Sequence, residues 1–128
     1  MWLFTTHGMF SVVTDPRDTE LLVVRARLRD HLTSLQERFG TLASLPIHDT
    51  PDRDYAHRIF VPRRTWRAVV GALVDDNYGN FKSAAHAARP LDHLYSEMLM
   101  RVWSVGARAQ DWVRDNPPFD ETEEPWNV

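Results

Sequence analysis

Apolar and polar residues alternate from Leu21 to Arg29, LLVVRARLR, with the period of two expected of a strand that buries one face. In that pattern Leu22, Val24, Ala26 and Leu28 point to the core, and Val23, Arg25, Arg27 and Arg29 point to the open side. Upstream, Trp2–Thr6 and Met9–Thr14 predict two strands joined at His7-Gly8, where glycine supplies the positive φ that a tight hairpin needs. Asp15-Pro16-Arg17-Asp18 carries turn residues and predicts a loop. The period then changes: Leu28, Leu32, Leu35 and Phe39 form a helical stripe that predicts a helix starting between Leu28 and Asp30, with Gly40 as its left-handed C-terminal cap. That onset assigns Arg29 to the helix and leaves Arg25 and Arg27 as the arginine pair of the strand.

Thr41 to Asp54 reads as a loop region with a short strand at Leu45–His48 and a turn at Pro51-Asp52-Arg53-Asp54. Tyr55–Val61 predicts another strand, closed by Pro62. A helix over about Arg63 to Asp76 follows, its buried face made by Trp66, Val69, Val70, Leu73 and Val74. Asn77 or Asn80 is placed to cap a short helix near Asn80–Ala88, with Tyr78 and Phe81 packing inward. Pro90 suits the first position of a last helix, which carries the longest apolar stripe of the chain: Leu91, Leu94, Tyr95, Met98, Val102, Val105, Ala109 and Trp112. Strands joined by short turns and helices grouped toward the carboxyl end predict an α+β fold. Its antiparallel sheet has about four to five strands, packed by an early helix and three C-terminal helices.

Composition narrows the class. The chain has 128 residues, enough for one domain, with 43% hydrophobic and 26% charged residues, which is ordinary globular usage. It contains no cysteine, so disulfides and thiolate metal sites are excluded. No apolar run approaches the ~20 residues needed to cross a bilayer, and the amino terminus lacks the basic region of a signal peptide; a cytoplasmic protein away from membranes is expected.

Charge divides unevenly. Residues 115–128, DNPPFDETEEPWNV, hold five acids and no base, so residues 1–114 carry 15 bases against 13 acids. The expected organisation is therefore one α+β domain over residues 1–114 and an acidic, mobile tail over 115–128, in which Trp126 is the one residue suited to anchoring a docking segment. Fourteen of the 15 bases are arginine and Lys82 stands alone. GC-rich codon usage accounts for such a count but not for the positions, and guanidinium forks suit carboxylate or phosphate.

The candidate chemistry is sparse. The six histidines show no metal-ligand spacing, and neither metal nor cofactor is implied. Asp54, Tyr55, His57 and Arg58 form the densest polar stretch and, with Arg25, Arg27 and Lys82, make up the candidate ligand- or partner-binding set. Pro51-Asp52 before a strand has the form of a metal-dependent nuclease start, but no acid-x-lysine follows. His57 and Tyr55 with the arginines remain as a metal-independent ribonuclease set. Arg25 and Arg27 have a structural alternative, pairing with Asp52 or Asp54.

The opening Met1-Trp2-Leu3-Phe4-Thr5-Thr6 with Gly8 and Ser11-Val12-Val13, then Val24-Arg25-Ala26-Arg27, Asp54-Tyr55 with Arg58, and Tyr78 with Asn80-Phe81-Lys82, resembles a widespread family of uncharacterised small bacterial and phage proteins. The resemblance spans most of residues 1–105 and departs at Gly79, where that family's pattern has an acid. It implies a single small domain and brings no activity. The function expected is a non-catalytic protein-interaction module, such as a phage or mobile-element accessory protein, with another protein as partner. The alternative is a nucleic-acid or phosphate-binding protein, of which the ribonuclease is one form.

Overall fold

The computed structural model describes residues 1–117. Its centre is a five-stranded antiparallel sheet in the order β1-β2-β3-β5-β4, formed by β1 (Trp2–Thr5), β2 (Gly8–Asp15), β3 (Asp18–Ala26), β4 (His48–Asp49) and β5 (His57–Pro62). Five helices complete it: α1 (Arg29–Arg38), α2 (Gly40–Ala43), α3 (Arg63–Leu73), α4 (Phe81–Ala88) and α5 (His93–Asp115). This is the α+β arrangement expected from the sequence, with one early helix more because α2 adds a single turn.

The alternation in β3 sets the two faces of the sheet. Val24 and Ala26 are fully buried, and Leu22 nearly so, against Phe10 and Val12 of β2 and Ile59 and Val61 of β5. Leu32 and Leu35 of α1, Leu42 of α2, and Trp66 and Val69 of α3 close this face into the main core. A smaller core lies on the opposite face, at its β1–β2 end. There Phe4 and Met9 meet Ala85 of α4 and Tyr95 and Leu99 of α5, and Tyr55 joins them from the loop before β5.

Several boundaries differ from expectation, each for a physical reason. The β1–β2 turn is Thr6-His7, and Gly8, at φ +137°, is the first residue of β2. Asp15 pairs with Asp18, so the expected loop is a two-residue turn, stabilised by the Arg17 N–H donating to Asp15 Oδ1 at 2.9 Å. Gly40 does not cap α1: Phe39 takes an extended conformation at the helix end, and Gly40 opens α2. The short strand is His48–Asp49 rather than Leu45–His48, and β5 begins at His57 rather than Tyr55. Val74 and Tyr78 are exposed instead of buried, although Tyr78 keeps a ring contact with Phe81.

Asn80 caps α4 as expected, accepting from the Ser83 N–H. Pro90 is not the first residue of α5, because Asp92 accepts from the Tyr95 N–H and the helix starts at His93. That helix runs to Asp115, one residue past the expected domain end. The expected tail from residue 118 on, with Trp126, lies outside the described residues. Among the described residues no helix is long and apolar enough to cross a membrane.

Candidate functional site

Antiparallel register places five side chains in one row across the sheet. Trp2 pairs with Ser11, Ser11 with Arg25, Arg25 with Arg58, and Arg58 with His48. Because Val24 and Ile59 fill the main core, their neighbours Arg25 and Arg58 must point to the other face. Trp2 ends the row, 69% exposed.

Tyr55 organises the arginines. Its ring is buried, with the Arg25 guanidinium 4.7 Å and the Arg27 guanidinium 4.5 Å from the ring centroid. Arg25 Nη2 donates to Ser11 Oγ at 2.7 Å. Arg27 Nη1 donates to the Asp54 carbonyl at 2.9 Å and approaches Asp54 Oδ1 at 3.5 Å. Arg27 thus follows the structural alternative, a local pair with an exposed acid, whereas Arg25 and Arg58 take no carboxylate.

Arg58 is the unsatisfied member. Its Nη2 donates to the Tyr55 carbonyl at 3.3 Å, while its buried Nε has no hydrogen-bond partner. Burial, and then the like charges of Arg53 and Arg25, lower its affinity for its proton. Beside it opens a cleft of about 380 Å³, floored by Val23 and Phe60 and walled by Arg17, His48, Arg53 and Arg58. Phe60 is held by the His48 ring edge-on at 5.4 Å and by the Arg17 guanidinium at 5.8 Å. The cleft's one acid, Asp15, is occupied: Arg17 Nε reaches its Oδ1 at 3.2 Å and Arg17 Nη2 its Oδ2 at 3.1 Å. Those hydrogen bonds hold the Asp15 carboxyl below the usual carboxylate range. Among the described residues, Arg25, Arg53 and Arg58 form no salt bridge.

Two members of the expected set lie elsewhere. His57 pairs with Ala26 in register, on the main-core side, where its Nδ1 meets Asp49 Oδ1 at 2.7 Å. Arg29 also reaches Asp49, at 2.7 Å, and the His57 contact is the leading cause that lowers the Asp49 pKa. The proposed ribonuclease set is therefore split, with His57 on one face and Tyr55, Arg25 and Arg58 on the other. Lys82 sits on α4 with its Nζ 4.8 Å from the Trp103 ring of α5, beside the smaller core.

Sequence reasoning passed over Arg17, Arg53 and His48, which line the cleft. It also passed over a buried hydrogen-bonded pair, His31 and Asp92. His31, 2% exposed, presents Nδ1 to the Met9 N–H at 3.4 Å, which leaves Nε2–H to donate to Asp92 Oδ2 at 2.8 Å. Burial opposes ionisation of Asp92, but hydrogen bonds from His31, the Tyr95 N–H and Arg89 outweigh it and lower its pKa. Arg89 also bridges to Asp30 of α1. This network ties α1 and β2 to the start of α5 and is structural.

His7 forms a second contact of catalytic appearance, with Nδ1 2.9 Å from Ser34 Oγ. Arg38 Nη1 lies 3.3 Å from His7 Nε2 and can only donate, which makes Nδ1–H the donor to Ser34 rather than a base for it. No group of three metal-ligating side chains occurs among the described residues. No family model, curated protein or solved structure matches this chain.

Proposed function

We propose that the chain is a non-catalytic protein-interaction module whose sheet face receives an anionic group of its partner, a carboxylate or a phosphorylated side chain. The observation that supports this is the cluster of Arg25, Arg53 and Arg58, free of salt bridges among the described residues, beside an apolar-floored cleft whose one acid, Asp15, is held by Arg17. Guanidinium forks match carboxylate and phosphate oxygens. The cleft offers recognition rather than turnover, since His48 packs edge-on against Phe60 and His57 lies on the far face.

The test is a titration of the 15N-labelled protein at low ionic strength with a phosphoserine- and glutamate-rich peptide. Shifts are expected at Val23, Arg53, Arg58 and Phe60, lost in a folded Arg58→Gln variant. Shifts that ignore the cleft, or binding that survives Arg58→Gln, would overturn the reading. The second reading, nucleic-acid binding, draws on Trp2 at the end of the arginine row. An equal-length oligouridylate that binds more tightly than the peptide, with a steep salt dependence, would favour it.

A further inference from the structure

Helix α5 outruns the body of the protein. From Arg101 to Asp115 every residue except Ala107 is exposed, a stretch of 15 residues or about 22 Å at 1.5 Å per residue. A helix of that length is marginal in water on its own. It is also apolar: of the thirteen large hydrophobic residues exposed among the described residues, Leu94, Met100, Val102, Trp103, Val105, Trp112 and Val113 all lie on α5. Leu94, Met98, Val102, Val105, Ala109 and Trp112 recur at spacings of three and four and form a single seam along the helix. An open groove of about 420 Å³ follows the first half of this seam and is lined by α5 residues alone.

We infer that this seam is covered by α5 of a second copy of the chain, packed antiparallel with the two-fold axis beside Val102. The pattern is self-complementary under that operation. With Val102 against its own copy, Met98 meets Val105 of the second copy, Leu94 meets its Ala109, and Leu91 meets its Trp112 and Val113. Large side chains meet smaller ones, and the bare end of each helix lies on the exposed seam of the other's anchored half. The flanking charges agree with the same register. Glu97 falls beside Arg108 of the second copy, and the two-fold axis repeats the pair. Within one chain Glu97 holds Arg101, while Arg108 has no ion-pair partner among the described residues.

The area is of the right order. A helix of 23 residues is about 35 Å long, and half the circumference of a rod 10–12 Å across makes a strip on the order of 600 Å². Leu91, 88% exposed just ahead of the helix, adds to a contact approaching the ~800 Å² per partner of a standard interface.

Sedimentation equilibrium of the full chain at about 100 μM is expected to give twice the 14.9 kDa chain mass. Val102→Glu, at a position 49% exposed in the single chain, is expected to leave the sheet's circular dichroism intact and weaken the dimer at least ~100-fold by opposing two charges at the axis. Because the chain has no cysteine, the register can be read directly. Under mild oxidation Val102→Cys is expected to cross-link to itself. Leu94→Cys is expected to cross-link to Ala109→Cys of the second copy and not to itself. A monomer at that concentration would overturn the inference, whether the seam is then bare or covered by residues 118–128 of its own chain. Self-linking of Leu94→Cys, the signature of a parallel pair, would overturn it as well.

Discussion

Gly8 is the one of the five glycines where an added Cβ finds no room. Its φ of +137° lies where residues with a side chain rarely go, and a Cβ built there would stand 2.2 Å from His31 Cγ. His31 cannot step aside cheaply, since it is 2% exposed and its Nε2 is held by Asp92 at 2.8 Å. Gly8→Ala therefore combines backbone strain of ~1–3 kcal/mol with crowding of similar size. Moving His31 would further cost ~1–3 kcal/mol by leaving the buried Asp92 carboxylate short of a donor. The expected loss is about 3–9 kcal/mol, against a total stability of roughly 6–19 kcal/mol for a chain of 128 residues.

Urea denaturation followed by circular dichroism measures the loss, and a double-mutant cycle with His31→Ala apportions it. Removing the ring takes away the two closest contacts but leaves the His31 Cβ at 2.6 Å and the strain, so the double variant should be more stable than the sum of the singles by at least ~1 kcal/mol. A Gly8→Ala protein within ~1 kcal/mol of wild type would refute the argument. An additive cycle would refute the crowding half of it.

Tyr95→Phe removes a buried donor, 2.6 Å from the Thr5 carbonyl, and should cost ~1–2 kcal/mol in the same assay. Burial raises the Tyr95 pKa, so the folded phenol stays neutral where the unfolded one ionises near pH 10. Stability should fall as pH climbs past about 10, and Tyr95→Phe should flatten that fall. Asp92 titrates below its unfolded value, so its contribution is present above about pH 4 and lost as pH falls further. Asp92→Asn should lower stability at pH 7 by ~1–3 kcal/mol and show a shallower acid loss in denaturant midpoints measured between pH 7 and pH 2. Arg27→Ala, which breaks an exposed pair, should change stability by less than ~1 kcal/mol, whereas Ile59→Ala in the main core should cost ~2–5 kcal/mol; similar losses from the two would contradict the assignment of faces. Arg58→Gln removes a guanidinium opposed to two others and should leave thermal stability in anion-free buffer unchanged or slightly raised; a large drop would mean that Arg58 already has its counter-ion.

Much of the scaffold is legible along the chain because it follows short-range periodicity. The alternation of Leu22, Val24 and Ala26 marks the buried face of β3, and the stripe through Leu32 and Leu35 marks the buried side of α1. Local stop and start signals compete on nearly equal terms, and there tertiary contacts decide. Gly40 is a reasonable cap by composition, yet Phe39 turns toward the main core and ends α1 one residue earlier. Pro90 is a reasonable first helical residue, yet Asp92 is drawn to His31, sixty-one residues away, and the helix begins behind that cap.

The cleft was half legible for the same reason. Alternation assigns Arg25 to the open face, but its neighbour across the ladder is fixed by β3–β5 register, which Val24 and Ile59 select by burying themselves. Arg53, on a loop, and Arg17, in a turn, carry no periodic signal that would mark them as lining one cavity.

The two faces of the sheet thus bear on each other. Because the core side fixes the register, Arg25 and Arg58 are held directly opposite, where Cβ atoms of paired strands lie roughly 4.5–5.5 Å apart and like charges destabilise the pair. Stacking on Tyr55 and the bond to Ser11 relieve Arg25, and Asp54 relieves Arg27. Arg58 receives only the Tyr55 carbonyl, and Arg53 approaches it with a charge of the same sign. A sequence selected for stability alone would place an acid or an apolar strand-forming residue at position 58, as it places Phe60 and Val23 alongside. Retaining a third guanidinium there carries a cost in the unliganded fold, and an anion seated between Arg58 and Arg53 would recover it by mass action in proportion to how tightly it binds.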